Sequence, residues 1–312
     1  MHANYVVKRL LQIIPLFLAV MVLVFVLVRL IPGDPVSALL GDRATDEIVA
    51  RANRELGLDR PILVQFGLFV ENVLRGNLGD SLTLKVPVLR LIAERLPVTL
   101  FLTVYAAVLG VLLAVPLATL AAIYRNSWLD NLIRAVFQLG LSLPVFYVAL
   151  QLLTLLGARL GWFPIGGYGD SFGDRLYHLF LPALTLGLNL AAVLLRTLRS
   201  SVIEVLTAEY VEFARAKGIK STLVLTRHVL RNALISTVTL LGLNIGALIG
   251  GAVITETVFA IPGVGRLMVD AIFGRDYPVI QGLTLTFALL VSLVFLATDL
   301  IHARLDPRIE HA

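Results

Sequence analysis

EYVEFARAKGIKSTLVLTRHVLRN, residues Glu209 to Asn232, is a charged stretch set between two long apolar runs. Ala208 to Lys217 holds good helix formers and no breaker, which predicts a short helix. Gly218 can then take the left-handed conformation that ends a helix, and Ser221 can cap a second one. The stretch reads as a helix, a turn and a second helix leading straight into hydrocarbon. Its exposed face must meet a soluble partner or stay solvated. A plain basic loop between membrane spans would carry the same charge. The residue order and the rest of the chain favour the partner.

The chain is 58% hydrophobic and 15% charged, with a mean hydropathy of +0.89. A soluble domain is typically about 45–50% apolar and about 25% charged, so this is a polytopic membrane protein. The net charge of +5 sits in loops beside apolar runs, where membrane topology explains it without nucleic acid. With no cysteine, disulfides, thiolate catalysis and Cys-ligated metals are excluded.

Six runs are long enough to cross, or nearly so: Leu10–Leu30, Val98–Ile123, Ala135–Leu156, Leu179–Leu195, Leu234–Ile254 and Val279–Ile301. The first exceeds a signal core and no small-residue cleavage site follows it, so it reads as a retained span. An even number puts both termini on one side. Lys and Arg then number thirteen on the side of the termini and four on the other. That comparison leaves out Arg29 and the Ile31–Pro97 segment, which exceeds the ~60 residues to which the positive-inside rule applies. Both termini and the charged hairpin are expected in the cytoplasm.

Pro32–Pro97 is then extracytoplasmic, and it reads as folded. Thr45 can cap a helix with Asp46 and Glu47 in its first turn, and Gly57 stops it. A second helix puts Ile62, Phe66, Phe69, Val70 and Val73 on one face, suited to packing on the membrane domain. Gly76 and Gly79 mark a loop. In the fifth run, Gly242, Gly246 and Gly250 at four-residue spacing predict a helix-packing face. Asn189 and Asn244 lie within spans and Glu256 at the end of the fifth. They form interhelical hydrogen bonds or line the translocation pathway. The stretch TVFAIPGVGRLMVDAIFGRDYPVIQG (Thr257–Gly282) opens on a Pro-Gly turn and continues as a short apolar helix. It would suit an outer gate or docking surface.

Chemistry of its own is not expected. A phosphate-binding P-loop needs Gly-Lys, and Lys8, Lys85, Lys217 and Lys220 all follow other residues. The five histidines are scattered without zinc-binding spacing, and no G-x-S-x-G elbow is present. His228, beside Arg227 and Arg231, reads as partner-facing or solvated.

From end to end the chain resembles the membrane-spanning permease subunits of dipeptide/oligopeptide-class bacterial ABC importers, which include nickel and glutathione systems. The resemblance rests on IPGDP (Ile31–Pro35), RGNLGDS (Arg75–Ser81), RLPVTL (Arg95–Leu100) and EYVEFARAKG (Glu209–Gly218). It extends to RHVLRNAL (Arg227–Leu234), Glu256–Gly282 and LDPRI (Leu305–Ile309).

It implies an all-α membrane protein with six transmembrane helices, a type I importer permease with an extracytoplasmic helical insertion. The implied parts are residues 1–31 (terminus and first helix), 32–94 (insertion), 95–303 (permease core, coupling loop 199–232) and 304–312 (cytoplasmic tail). It also implies that Glu212, Phe213, Ala214, Arg215, Ala216, Lys217 and Gly218 belong to the "EAA" element that docks on an ATP-hydrolysing subunit. Glu212, Ala214 and Gly218 match that pattern, whereas Phe213 replaces its middle alanine. His228 and Arg231 replace its isoleucine and proline.

The implied partners are a second homologous permease, two ATP-binding subunits that carry ATP and Mg, a soluble substrate-binding receptor and the inner-membrane bilayer. No cofactor, metal or nucleic acid is expected in this chain. The implied cargo is a short peptide, with nickel or glutathione as alternatives. An autonomous ion-coupled transporter would instead need a mid-membrane relay of ionisable groups. An intramembrane enzyme would need paired carboxylates or a Ser/His pair, and neither is apparent.

Overall fold

The computed structural model describes residues 3–30 and 60–305, with side chains for 11–27 and 60–301. The expected Thr45–Gly57 helix, the IPGDP stretch and the tail beyond Leu305 lie outside the described residues. The described chain is built from helices: α1 (Ala3–Leu30), α2 (Ile62–Leu74), α3 (Val88–Ile123), α4 (Trp128–Ser142) and α5 (Val145–Arg159). Then follow α6 (Phe172–His178), α7 (Phe180–Leu206), α8 (Glu209–Ala216), α9 (Ser221–Val258), α10 (Val264–Phe273) and α11 (Tyr277–Leu305).

Four of these, α3, α7, α9 and α11, are long and apolar enough to cross a membrane, and α4 with α5 makes a fifth. At 28 residues, α1 is about 42 Å long, enough to cross as well. The third expected span, Ala135–Leu156, is not one straight helix: α4 and α5 meet at 106°. Proline disfavours helical backbone in the residue before it and lacks an N–H. Leu143 is accordingly extended (φ −89°, ψ 134°), and Pro144 is the N-cap of the next helix, which starts at Val145. The fourth span is longer than its apolar run, since α7 continues to Leu206.

The described residues divide into two units, one of 98–262 with 293–305 and one of 3–30, 60–97 and 263–292. In the first, α7 is the central element. Leu181, Leu186, Leu190 and Leu194 are buried with Leu102 and Ala106 of α3, Ala149 of α5 and Leu248 and Ala252 of α9. A close backbone crossing joins α3 to α7 at Gly110 and Gly187. A Cβ on Gly187 would lie 3.0 Å from the Ala106 carbonyl oxygen and 3.2 Å from the Gly110 nitrogen. In membranes, such close backbone approach supplies the packing that hydrophobicity cannot.

Within this chain, the glycines of the predicted α9 face meet different surroundings. Gly242 abuts the Thr298 side chain of α11, Gly246 is half-buried and Gly250 faces open space, while Gly251 meets Leu186. A spacing of four residues drifts about 40° per step around a 3.6-residue helix, so Gly242 and Gly250 point in different directions.

In the second unit, Phe25 of α1 packs on Phe66 and Phe69 of α2, with ring centroids 5.1 and 5.8 Å apart. The half-buried face of α2 also includes Val70 and Val73, as its period predicts, but Ile62 is exposed. Val88, Leu91 and Ile92 are buried with Val264, Leu267, Val279 and Leu283. The loop after α2 turns through Gly76 (φ +74°) and Gly79 (φ +79°). The buried Asp276 carboxylate accepts from the Ser81 hydroxyl (2.5 Å) and the Leu82 and Thr83 backbone N–H groups (both 3.1 Å). Two stretches remote in sequence, RGNLGDS and GRDYP, are thereby joined.

Candidate functional site: a helical hairpin and the polar groups of the spans

The hairpin forms as its residues dictate. Helix α8 carries Glu209 and Glu212 in its first turn and Arg215 in its last, the charge order its dipole favours. It ends at Gly218, where φ is +78°, a value only glycine takes without strain. The predicted cap by Ser221 is not found: Lys220 occupies the cap position with no side-chain hydrogen bond, and Ser221 is the first helical residue. Residues Val224–Leu230 then form a wide π-type turn before α9 continues to Val258.

Two residues seat α8. Val211 and Ala214 are buried with Ala118 and Ala121 of α3, Ile133 of α4, Leu198 and Val202 of α7, and Val224 and Val229 of α9. The Asn232 amide donates to the Tyr210 hydroxyl (2.7 Å) and to the His228 carbonyl (2.9 Å), tying α8 to α9. Arg227 and Arg231 are exposed and His228 is half-buried.

The outward side presents Glu212, Phe213, Arg215, Ala216, Lys217 and Gly218. Phe213 is 62% exposed, with the Lys217 ammonium 4.6 Å from its ring centre. The helix thus has a base fixed by buried contacts and an outward side that carries an uncovered aromatic ring and mixed charge.

Behind the hairpin lies a pair that the sequence reading missed. Arg199 of α7 grips Asp130 of α4 through two bonds, Nε to Oδ1 at 2.8 Å and Nη2 to Oδ2 at 2.7 Å. Asp130 is fully buried, also accepts from the Asn126 backbone N–H and lies 3.2 Å from Arg134. The available signal was Ser127-x-x-Asp130, a helix-start pattern; the Ser127 hydroxyl does accept from the Asp130 N–H.

The three polar residues assigned to spans have different surroundings. Glu256 is fully buried and accepts from the Thr99 hydroxyl, closed to solvent in this structure. Asn244 donates to the Leu240 carbonyl (2.7 Å) within its own helix. Asn189 and Asn244 share a cavity of about 50 Å³, and Asn189 also lines one of about 190 Å³ beside the α4–α5 break.

Comparison with known proteins agrees with this architecture. The family model "Binding-protein-dependent transport system inner membrane component" matches residues 114–311, and its N-terminal companion matches 2–103. The chain is 42% identical over 308 residues to the glutathione transport system permease protein GsiC of Salmonella paratyphi A, covering 99% of each. It is 42% identical to the GsiC of Pectobacterium atrosepticum and 40% to that of Escherichia coli K12, with the same coverage. Among solved structures, the inward-facing MetNI methionine ABC transporter matches with a TM-score of 0.59 at 18% identity, over 69% of this chain and 96% of that one. An amino acid ABC transporter with histidines matches at 0.54 and 15% identity, over 69% and 94%. At such identities the likeness concerns the fold.

Proposed function

The chain belongs to the binding-protein-dependent transport system inner membrane components, multi-pass permeases of ABC importers, and from that premise we propose that it carries glutathione or a similar short peptide inward. Its energy comes from separate ATP-binding subunits acting on the α8 hairpin. The observation that carries this reading is the hairpin itself, with Val211 and Ala214 anchored inside and Phe213 uncovered outside. The names of the 40–42% identical relatives support the cargo.

On this reading both termini and the hairpin face the cytoplasm, in keeping with the Lys/Arg distribution. A soluble receptor delivers the peptide on the opposite face. Closure of two ATP-binding subunits displaces α8, and the cluster around Val211 and Ala214 passes that displacement to α3, α4, α7 and α9. A second permease chain completes the pathway.

The test is reconstitution of this chain with its second permease, ATP-binding subunits and receptor in proteoliposomes, supplied with labelled glutathione or labelled dialanine. ATP-dependent accumulation is expected with wild type and not with Glu212→Lys. Equal accumulation by the variant would defeat the coupling assignment, and accumulation by this chain alone would make it an autonomous transporter.

A further inference from the structure

Asn189 is the tenth residue of α7, about 15 Å from its start, within the apolar run Leu179–Leu195 expected to cross the membrane. Its half-buried carboxamide makes no hydrogen bond among the described residues. An accessible amide with no such bond is free to bind water or a passing solute. The interhelical bond that would be the simplest explanation is not made: Asn244 turns its own donor to Leu240.

Asn189 lies where two cavities adjoin. The larger, about 190 Å³, is also lined by Gly140, Leu143 and Val145, the residues of the α4–α5 break. The smaller, about 50 Å³, includes Asn244 and Leu248. A water needs about 10–15 Å³ of such space, so both exceed a packing defect. At the break, α4 stops at Ser142, and Pro144 supplies no N–H, so the last-turn carbonyls of α4 lack the donors that a continued helix would provide. Broken helices at mid-depth are where transporters gather backbone acceptors.

The chemistry of this place is specific. Its lining is largely apolar, with the Asn189 carboxamide facing both cavities, and no residue lining either is ionisable. Such a site suits a neutral amide better than an ammonium, a carboxylate or a metal ion. We infer that Asn189, at the α4–α5 break, contacts the peptide-bond amides of the solute during its passage. This inference rests on the peptide-importer reading above.

The absence of cysteine from this chain makes Asn189→Cys its single thiol. Membrane vesicles holding the complete transporter, with receptor and ATP, are treated with N-ethylmaleimide, and alkylation of this subunit is followed by mass spectrometry. Saturating S-methylglutathione or dialanine, amides without a free thiol, should slow alkylation at least threefold; maltose should not. Uptake of the same labelled solutes is measured in parallel. Uptake without protection overturns the Asn189 contact and leaves the importer reading standing. Failure of wild type to take up either amide overturns the solute class beneath both.

If Asn189→Cys itself is inactive, Asn189→Ser and Asn189→Leu decide. Retention of more than half the uptake by the serine variant with at least a tenfold loss in the leucine variant supports the contact. Wild-type uptake by the leucine variant, or loss of the second permease on co-purification with both variants, overturns it.

Discussion

Asp130 shows how much a single side chain can hold. Its carboxylate is fully buried and paired in fork geometry with Arg199, so removing the arginine strands a charge. Breaking such a pair from one side costs about 3–5 kcal/mol, and Arg134 at 3.2 Å offsets part of this. Arg199→Met should therefore lower the thermal unfolding temperature of the purified chain in detergent. Asp130→Leu with Arg199→Met should recover much of the loss, which a melting series on the wild type and these two variants will measure. At the α3–α7 crossing, Gly187→Val must push against the Ala106 and Gly110 backbones and should destabilise by about 1–3 kcal/mol. Gly250→Ala, with nothing within 4 Å, should be neutral within about 0.5 kcal/mol. The four-residue spacing did not single out Gly187, because a glycine's packing value depends on what faces it, and at Gly187 that is set by a helix distant in sequence.

Among the elements, the hairpin was the most legible. Helix formers followed by a glycine in the left-handed region are local features, and locally determined geometry survives tertiary context. Ser221 failed as a cap because the turn after Gly218 already brings Lys220 to that position. The α4–α5 break was less legible: hydropathy averages over residues and carries no direction, although Pro144 was in plain view. Gly218→Pro should abolish ATP-driven uptake in vesicles while membrane insertion, read by fractionation, stays at the wild-type level. In the loop after α2, Asp276→Ala removes the acceptor of one hydroxyl and two backbone N–H groups, each worth about 1–3 kcal/mol when left unsatisfied and buried. Hydrogen exchange at Leu82 and Thr83 should accelerate at least tenfold. Slow exchange in that variant would mean that the loop is held by its Val86 and Gly79 backbone bonds alone.

At the scale of the whole molecule, composition announced a membrane protein and the motif order announced its family. The long-range pairings Asp130–Arg199 and Ser81–Asp276, 69 and 195 residues apart, could not be read from either. Four long helices and a bent pair require a bilayer around them. Transport should accordingly depend on the complete assembly: vesicles lacking the ATP-binding subunits are expected to show no ATP-dependent accumulation of labelled glutathione. One geometrical property of α9 bears on how little movement such an assembly needs. The 38 residues of Ser221–Val258 make a rod about 57 Å long, rooted beside α8 and reaching to Glu256. Pivoting such a rod by ~5° about one end carries the other through about 5 Å, the rise of a full helical turn. The wide turn at Val224–Leu230 interrupts its regular α-helical geometry near the base. On the proposed coupling through α8, an angstrom-scale push at that base would move the far end of α9 by several ångströms.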